Sequence, residues 1–261
     1  MIEGETQKPE LKPVIRVVDL VKRFGEHTVL KGVDLEVYPG ETVVVMGGSG
    51  CGKSTLLRHM IGSMWPEEGH VELFGQNISE LPDSQLDEVR KRFGILFQSG
   101  ALFNSMTVGQ NVSLPLREHT DLDEDTIGII VRIKLELVGL RQAVDLMPAE
   151  ISGGMKKRAG LARAIALDPE ILFYDEPSAG LDPVTSAEID QLMMDLSGKL
   201  GVASVVVTHE MDSAFRIADR MAMLEQGVML KIAPRREFES IRDGEPTGDE
   251  TGDLIRQFLR G

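Results

Sequence analysis

The chain has 261 residues, of which 42% are apolar and 27% charged, so it can bury a substantial core and is not disordered by composition. Its 28 lysines and arginines stand against 42 acidic residues. The resulting net charge of −14 argues against holding nucleic-acid phosphates unless a local basic patch does so. Cys51 is the only cysteine, which excludes intrachain disulfides and Cys-rich metal sites and suits a reducing cytosol. The polar stretch Met1–Pro13 lacks the apolar centre of a signal peptide, and no window approaches the ~20 apolar residues that span a bilayer.

β-branched runs alternating with helical patterns predict an α/β chain with a parallel sheet. Val14–Leu20 and Val33–Val37 read as early strands, with a turn at Phe24–His27 between them. Thr42–Met46 is an apolar run that stops at a glycine cluster, and Lys53–Ile61 follows as a helix. From Ser99 to about Met147 the character changes to that of a helical subdomain inserted into the α/β core. Pro115 and the acidic stretch Asp121–Asp125 are expected to break it. Thr126–Leu137 carries Ile127, Ile130, Val131, Leu135 and Val138 at helical spacing, and Pro148 closes the segment.

Met155–Leu167 then reads as a helix, and Ile171–Tyr174 and Ser204–Val207 as buried strands. The expected organisation is one main α/β domain over 13–240, with its helical part at about 99–150, and a tail over 241–261. In that tail Gly244–Gly252 has linker composition. Asp253–Arg260 is expected to form a short helix with Leu254, Ile255, Phe258 and Leu259 on one side, which either packs on its own domain or docks on another subunit.

The run Gly47-Gly48-Ser49-Gly50-Cys51-Gly52-Lys53-Ser54 fits G-x-x-x-x-G-K-[ST] between a strand and a helix, the context a P-loop requires. Its glycines let backbone N–H groups turn inward as an anion cradle that continues to Thr55 at the helix N-terminus. Lys53 would reach the β- and γ-phosphates of ATP, and the Ser54 hydroxyl would ligate Mg²⁺. The strand Ile171–Tyr174 ends in Asp175-Glu176, which delivers two carboxylates to the edge where parallel sheets bind ligands. Asp175 would hold Mg²⁺, and Glu176 would align the attacking water. Ser204–Val207 repeats the layout and brings His209 to the same edge, as a γ-phosphate contact or as a packing residue.

With Ile151-Ser152-Gly153-Gly154-Met155 the motifs reach a family: the chain resembles the nucleotide-binding subunit of an ABC transporter. P-loop, Gln98, Ser152-Gly153-Gly154, Asp175-Glu176, Ser178–Asp182 and His209 follow the family's order over nearly the whole length. The resemblance implies a P-loop ATPase fold with a RecA-like parallel core, an antiparallel β subdomain and an inserted α-helical subdomain. It also implies a head-to-tail homodimer with two ATP molecules at the interface, each P-loop facing the partner's Ser152–Gly154. Gln98 matches the glutamine that senses the γ-phosphate and helps hold the metal and water. Phe24 falls where an aromatic stacks on adenine, or else is a core residue of its hairpin. Asp182 resembles the aspartate of the loop that couples the two sites.

Met155 stands where the family usually has glutamine, and this variant looks like the Mla-type branch that serves phospholipid transporters with MCE-domain partners. Leu114–Thr120, Arg158–Asp168 and Gln257–Leu259 resemble that branch as well. The branch implies an integral permease, an MCE-domain protein and a small accessory subunit, with the ATPase at the cytoplasmic face of a bacterial inner membrane. Lys156-Lys157-Arg158 either braces phosphate or, the preferred reading, forms a solvated helix face. Three rival classes fit less well. ATPases of chromosome maintenance place a long coiled coil between the glutamine and the signature, and here that stretch is short. A small-molecule kinase has no need of Ile151–Met155 or His209, and a non-catalytic subunit would not keep Lys53, Asp175 and Glu176.

Overall fold

Valine-rich strands line the centre of the molecule, and their pairing sets the rest of the architecture. The computed structural model describes residues 11–246 and 248–260. Residues 1–10, where no signal sequence is expected, lie outside that range, as do Thr247 of the expected linker and Gly261. In chain order, β1 (Ile15–Phe24) and β2 (His27–Val37) form a hairpin, and β3 (Thr42–Met46) leads into α1 (Lys53–Met60). Next come β4 (Glu68–Leu73), β5 (Gln76–Asn77), α2 (Asp83–Arg90) and β6 (Phe93–Leu96). The helical middle holds α3 (Val108–His119), α4 (Glu124–Leu137) and short 3-10 turns at Arg141–Ala143 and Pro148–Glu150. It is followed by α5 (Gly153–Ala164), β7 (Ile171–Asp175), α6 (Pro183–Leu200), β8 (Ala203–Thr208) and α7 (Met211–Ile217). The hairpin β9 (Arg220–Glu225) and β10 (Val228–Pro234) and the helices α8 (Arg235–Asp243) and α9 (Glu250–Arg260) end the chain.

The main sheet has the order β10-β9-β3-β8-β7-β6, parallel except for the antiparallel edge strand β10. A second sheet, β2-β1-β4-β5, is antiparallel throughout. Parallel strands covered on both faces read as continuous apolar runs, and their alternating residues feed two cores. Val43, Val45, Ile171, Phe173, Val205 and Val207 face the antiparallel sheet and α1. Val44, Met46, Leu172, Tyr174 and Val206 face the helices of the opposite side. This is the α/β architecture expected from the sequence, with the antiparallel layer and the helical insertion in place.

Several expectations require correction. Pro115 does not break the middle segment, because α3 runs through it. The ring costs about 3 kcal/mol inside a helix, but Val108, Val112 and Leu116 are all buried, at about 1.5–3 kcal/mol each. A capping box also fixes the start of α3: Thr107 Oγ1 accepts from Gln110 N at 3.2 Å while Gln110 Oε1 accepts from Thr107 N at 2.9 Å. The helix of the signature segment ends at Ala164 rather than Leu167.

The tail also differs from its linker composition. The last helix starts at Glu250, three residues ahead of the expected Asp253, and its apolar stripe divides. Ile255 and Leu259 are buried in the same core as Phe238 of α8, whereas Leu254 points to solvent. Arg256 Nε donates to Gly244 O and Arg260 Nε to Arg242 O, each at 2.7 Å, which ties α9 to the end of α8. The tail helix therefore packs on its own domain.

Candidate active site

The carboxyl ends of three adjacent parallel strands build the site. Met46 pairs with Thr208 and Val207 with Asp175, so the segments that follow β3, β8 and β7 emerge side by side. The loop after β3 must be glycine at its first position. A Cβ on Gly47 would lie 2.0 Å from the Leu224 carbonyl oxygen and 2.7 Å from Cys51 Sγ. Lys53 opens α1 with its side chain buried, and its Nζ donates to the carbonyls of Gly47 at 2.8 Å and Gly48 at 2.9 Å. Ser54 is exposed at the same helix start. Burial pushes the Cys51 thiol up, which makes it a packing group beneath the loop rather than a thiolate.

Asp175 is half-buried at the end of β7. Burial, and then the charge of Glu176, push its carboxyl above the usual range, with Arg58, Lys157 and Lys53 pulling the other way. Glu176 takes a left-handed backbone conformation, φ +47°, which a non-glycine residue holds only when its surroundings fix it. Its N–H donates to Val207 O at 2.9 Å. His209 Nδ1 donates to Glu176 Oε1 at 2.9 Å, and the His209 N–H lies 3.4 Å from Oε2. The carboxylate is only 12% exposed while the imidazole is 60% exposed, so the histidine shields one side of the glutamate.

The oxygen donors here fit a hard divalent cation. A Ser54 hydroxyl, the Asp175 carboxylate and substrate phosphates are the ligand set magnesium favours, rather than an all-protein cage.

Gln98 follows β6 by two residues and is exposed at the same sheet edge, since Leu96 pairs with Tyr174. The loop beyond it is held by Arg163 of α5, which donates to Ala101 O at 2.8 Å and Gly100 O at 3.1 Å. Phe24 lies at the tip of the first hairpin and is 50% exposed, with Lys22 Nζ 5.5 Å from the ring centroid. It is a surface ring, not a core residue of the hairpin.

Ser152 caps α5, accepting from Met155 N at 3.2 Å, and is exposed together with Gly153. Gly154 packs against the start of α6, where Asp182 accepts from Val184 N, Thr185 N and Thr185 Oγ1. Among the described residues no hydrogen bond or ion pair joins Ser152–Gly154 to the P-loop of the same chain. The fold therefore gathers the P-loop, Asp175, Glu176, His209 and Gln98, and leaves the signature apart.

The basic cluster is not a solvated face. Lys157 is buried and donates to the Glu176 carbonyl at 3.1 Å, while Arg158 reaches Val138 O and Glu188. Helical spacing carried the signal, because Gly154, Lys157 and Leu161 share one face of α5 and all three are buried.

A model of the ABC transporter family matches residues 30–179. The probable ribonucleotide transport ATP-binding protein mkl of Mycobacterium leprae is 42% identical over the whole chain, which spans 72% of that relative. Against the mkl protein of Mycobacterium tuberculosis the identity is 43%, and the chain spans 66% of its length. The intermembrane phospholipid transport system ATP-binding protein MlaF of Escherichia coli is 42% identical, over 88% of this chain and 92% of that one. Its Haemophilus influenzae counterpart is 46% identical, over 79% of this chain and 78% of that one. Among solved structures, the dimeric post-hydrolysis state of the ATP-binding cassette MJ0796 bound to ADP and Pi superposes with a TM-score of 0.78 at 30% identity. It covers 85% of this chain and 99% of its own.

Proposed function

The chain belongs to the ABC transporter family, and from that premise we propose that this ATP hydrolase powers phospholipid movement between membranes as the cytoplasmic engine of a permease. The observation that carries the reading is the gathering of the Lys53 cradle, Asp175, Glu176 and His209 at one sheet edge. The reaction is ATP + H₂O → ADP + phosphate, in which alignment and charge neutralisation outweigh covalent chemistry. Lys53 offsets charge on the β- and γ-phosphates, and Gly47–Thr55 cradles them through backbone N–H groups. Ser54, Asp175 and Gln98 hold Mg²⁺, which when bound neutralises charge on the phosphate oxygens. Glu176 accepts a hydrogen bond from the attacking water, and His209 keeps that carboxylate turned toward it. Phe24 stacks on adenine, and Ser152–Gly154 of a second copy meets the phosphates from the opposite side, with its helix N-terminus as the anion site.

No helix among the described residues is long and apolar enough to cross a membrane; on this reading, force passes to the membrane partner through contact. An apolar groove of about 590 Å³ beside Gln98 supports this reading. It is lined by Phe93, Phe97, Phe103, Leu114 and Leu167, with Phe97 and Phe103 exposed. A permease segment seated there touches the loop that follows Gln98. The relatives named for intermembrane phospholipid transport support the cargo class, and the resemblance to the Mla-type branch adds an MCE-domain protein and a small accessory subunit at the inner membrane to the proposal. The mycobacterial relatives named for ribonucleotide transport support a second reading, a non-lipid cargo on the same engine.

The test is capture of tagged Glu176→Gln chain with ATP from detergent-solubilised native membranes, followed by mass spectrometry of proteins and lipids. A permease with an MCE-domain protein and phospholipid is the expected result. A permease with a solute-binding protein and no lipid moves the assignment to the second reading. Recovery of no membrane protein overturns both.

A further inference from the structure

Lys157 is a buried cation to which the roles above assign no task. It leaves α5 one turn inside the signature, is 5% exposed, and donates from Nζ to the main-chain carbonyl of Glu176 at 3.1 Å. A buried ammonium is costly unless bonded, and an apolar side chain would fill the same space at no such cost. What the ammonium grips is a strained residue of the site. Glu176 holds φ +47°, a conformation that side-chain-bearing residues keep only under external constraint.

The other constraints come from nearby strand and loop segments. The Glu176 N–H is bonded to Val207 O at 2.9 Å, its carbonyl also accepts from Ala179 N at 3.2 Å, and its carboxylate is held by His209. Only Lys157 reaches it from α5. Desolvation draws the ammonium down, while the carboxylates of Glu210, Asp175 and Glu176 act to keep it charged.

We propose that Lys157 is a positioning residue for Glu176: its ammonium fixes the left-handed turn that aims the carboxylate at water. It rides on the helix opened by Ser152–Gly154, so it also ties the clamp on one nucleotide to the base acting on the other. The second half rests on the head-to-tail dimer proposed above. In that dimer the signature of each chain serves its partner's ATP while Glu176 serves its own.

The test compares Lys157→Met and Lys157→Arg in the full chain by steady-state phosphate release. Lys157→Met removes the donor and keeps the length, and is expected to lower kcat about 10-fold or more with the KM for ATP within about 2-fold. Lys157→Arg keeps a charged donor and is expected to stay within about 3-fold of wild type. Wild-type kcat in Lys157→Met, or an equal loss in Lys157→Arg, overturns the positioning role. Should Lys157→Met not fold, Lys157→Leu takes its place, since it also removes the donor and keeps the position apolar. It is then expected to lower kcat while sparing KM, and unchanged kcat overturns the proposal. ATP-dependent dimerisation of the Glu176→Gln chain, followed by light scattering, checks the dimer separately. A chain that stays monomeric overturns the link between sites, whereas the kcat values alone decide the positioning role.

Discussion

One added methyl group at Gly154 is expected to stall ATP turnover while leaving the chain folded. A Cβ there would lie 2.6 Å from Thr185 Cγ2, about 1 Å inside an ordinary carbon–carbon contact of roughly 3.5–4.0 Å. Thr185 is not free to rotate away, because its Oγ1 donates to Asp182 Oδ2 at 2.6 Å and its N–H to Oδ1 at 3.1 Å. Relief comes either from a shift of the first turn of α5 away from α6 or from rupture of the cap. Overpacking of this kind costs about 1–3 kcal/mol, and alanine's helix preference over glycine returns about 0.8–1.0 kcal/mol.

The net is about 0–2 kcal/mol, a fall of a few degrees in thermal midpoint for a chain of this size. Catalysis suffers more, because a displacement of about 1 Å in a positioned group costs up to about 100-fold. Steady-state phosphate release in Gly154→Ala is therefore expected to fall about 10- to 100-fold. Thr185→Ser deletes Cγ2 and keeps the hydroxyl on Asp182, so Gly154→Ala/Thr185→Ser should recover most of the rate. A double variant as slow as the single one would refute the reasoning and put the obstacle at the bound phosphate instead.

Four further outcomes follow from the geometry. Lys53→Ala is expected to weaken ATP binding itself, read by nucleotide titration, because the ammonium is the cation at the mouth of the cradle. Asp190 is fully buried, accepts from Ser213 Oγ at 2.6 Å and is paired with Arg216. Asp190→Ala strands the buried serine hydroxyl and is expected to cost about 1–3 kcal/mol in denaturant unfolding.

Burial holds the Asp190 carboxyl above its ordinary range. The folded state therefore binds that proton more tightly than the unfolded chain, and wild type should gain on Asp190→Asn as pH falls. Ile255→Ala, in a tail helix that shares the core of Phe238, should lower stability by about 2 kcal/mol, the low end for such a truncation because the helix is terminal. An unchanged thermal midpoint would show that α9 is not part of the folded unit.

The parts of the site that were legible in the sequence are those fixed by neighbours along the chain. A P-loop is a continuous run whose glycines and lysine act through adjacent backbone, so Gly47–Ser54 and the ends of β7 and β8 could be placed without knowing the fold. Lys157 could not be read the same way, because its meaning depends on which strand end passes beneath α5. Its burial was available from helical spacing alone, but a run of three cations reads first as a solvated face. Pro115 and the tail went astray for one physical reason. Local composition argued for a break and a linker, and tertiary burial of Val112, Leu116, Ile255 and Leu259 outweighed it. The pairing of His209 with Glu176 depends on two loops meeting across the sheet.

β7 presses Ile171 and Phe173 into one core and Leu172 and Tyr174 into the other, all four without exposed surface, and is bonded to a neighbour strand along each edge. A strand confined in four directions has no inexpensive way to shift, so the carboxylates at its end form a fixed datum. Motion during a nucleotide cycle is thereby assigned to whatever approaches that datum: the loop after Gln98, the start of α5 and the turn into α6. The sheet keeps the chemistry in register and leaves displacement to the elements packed around it.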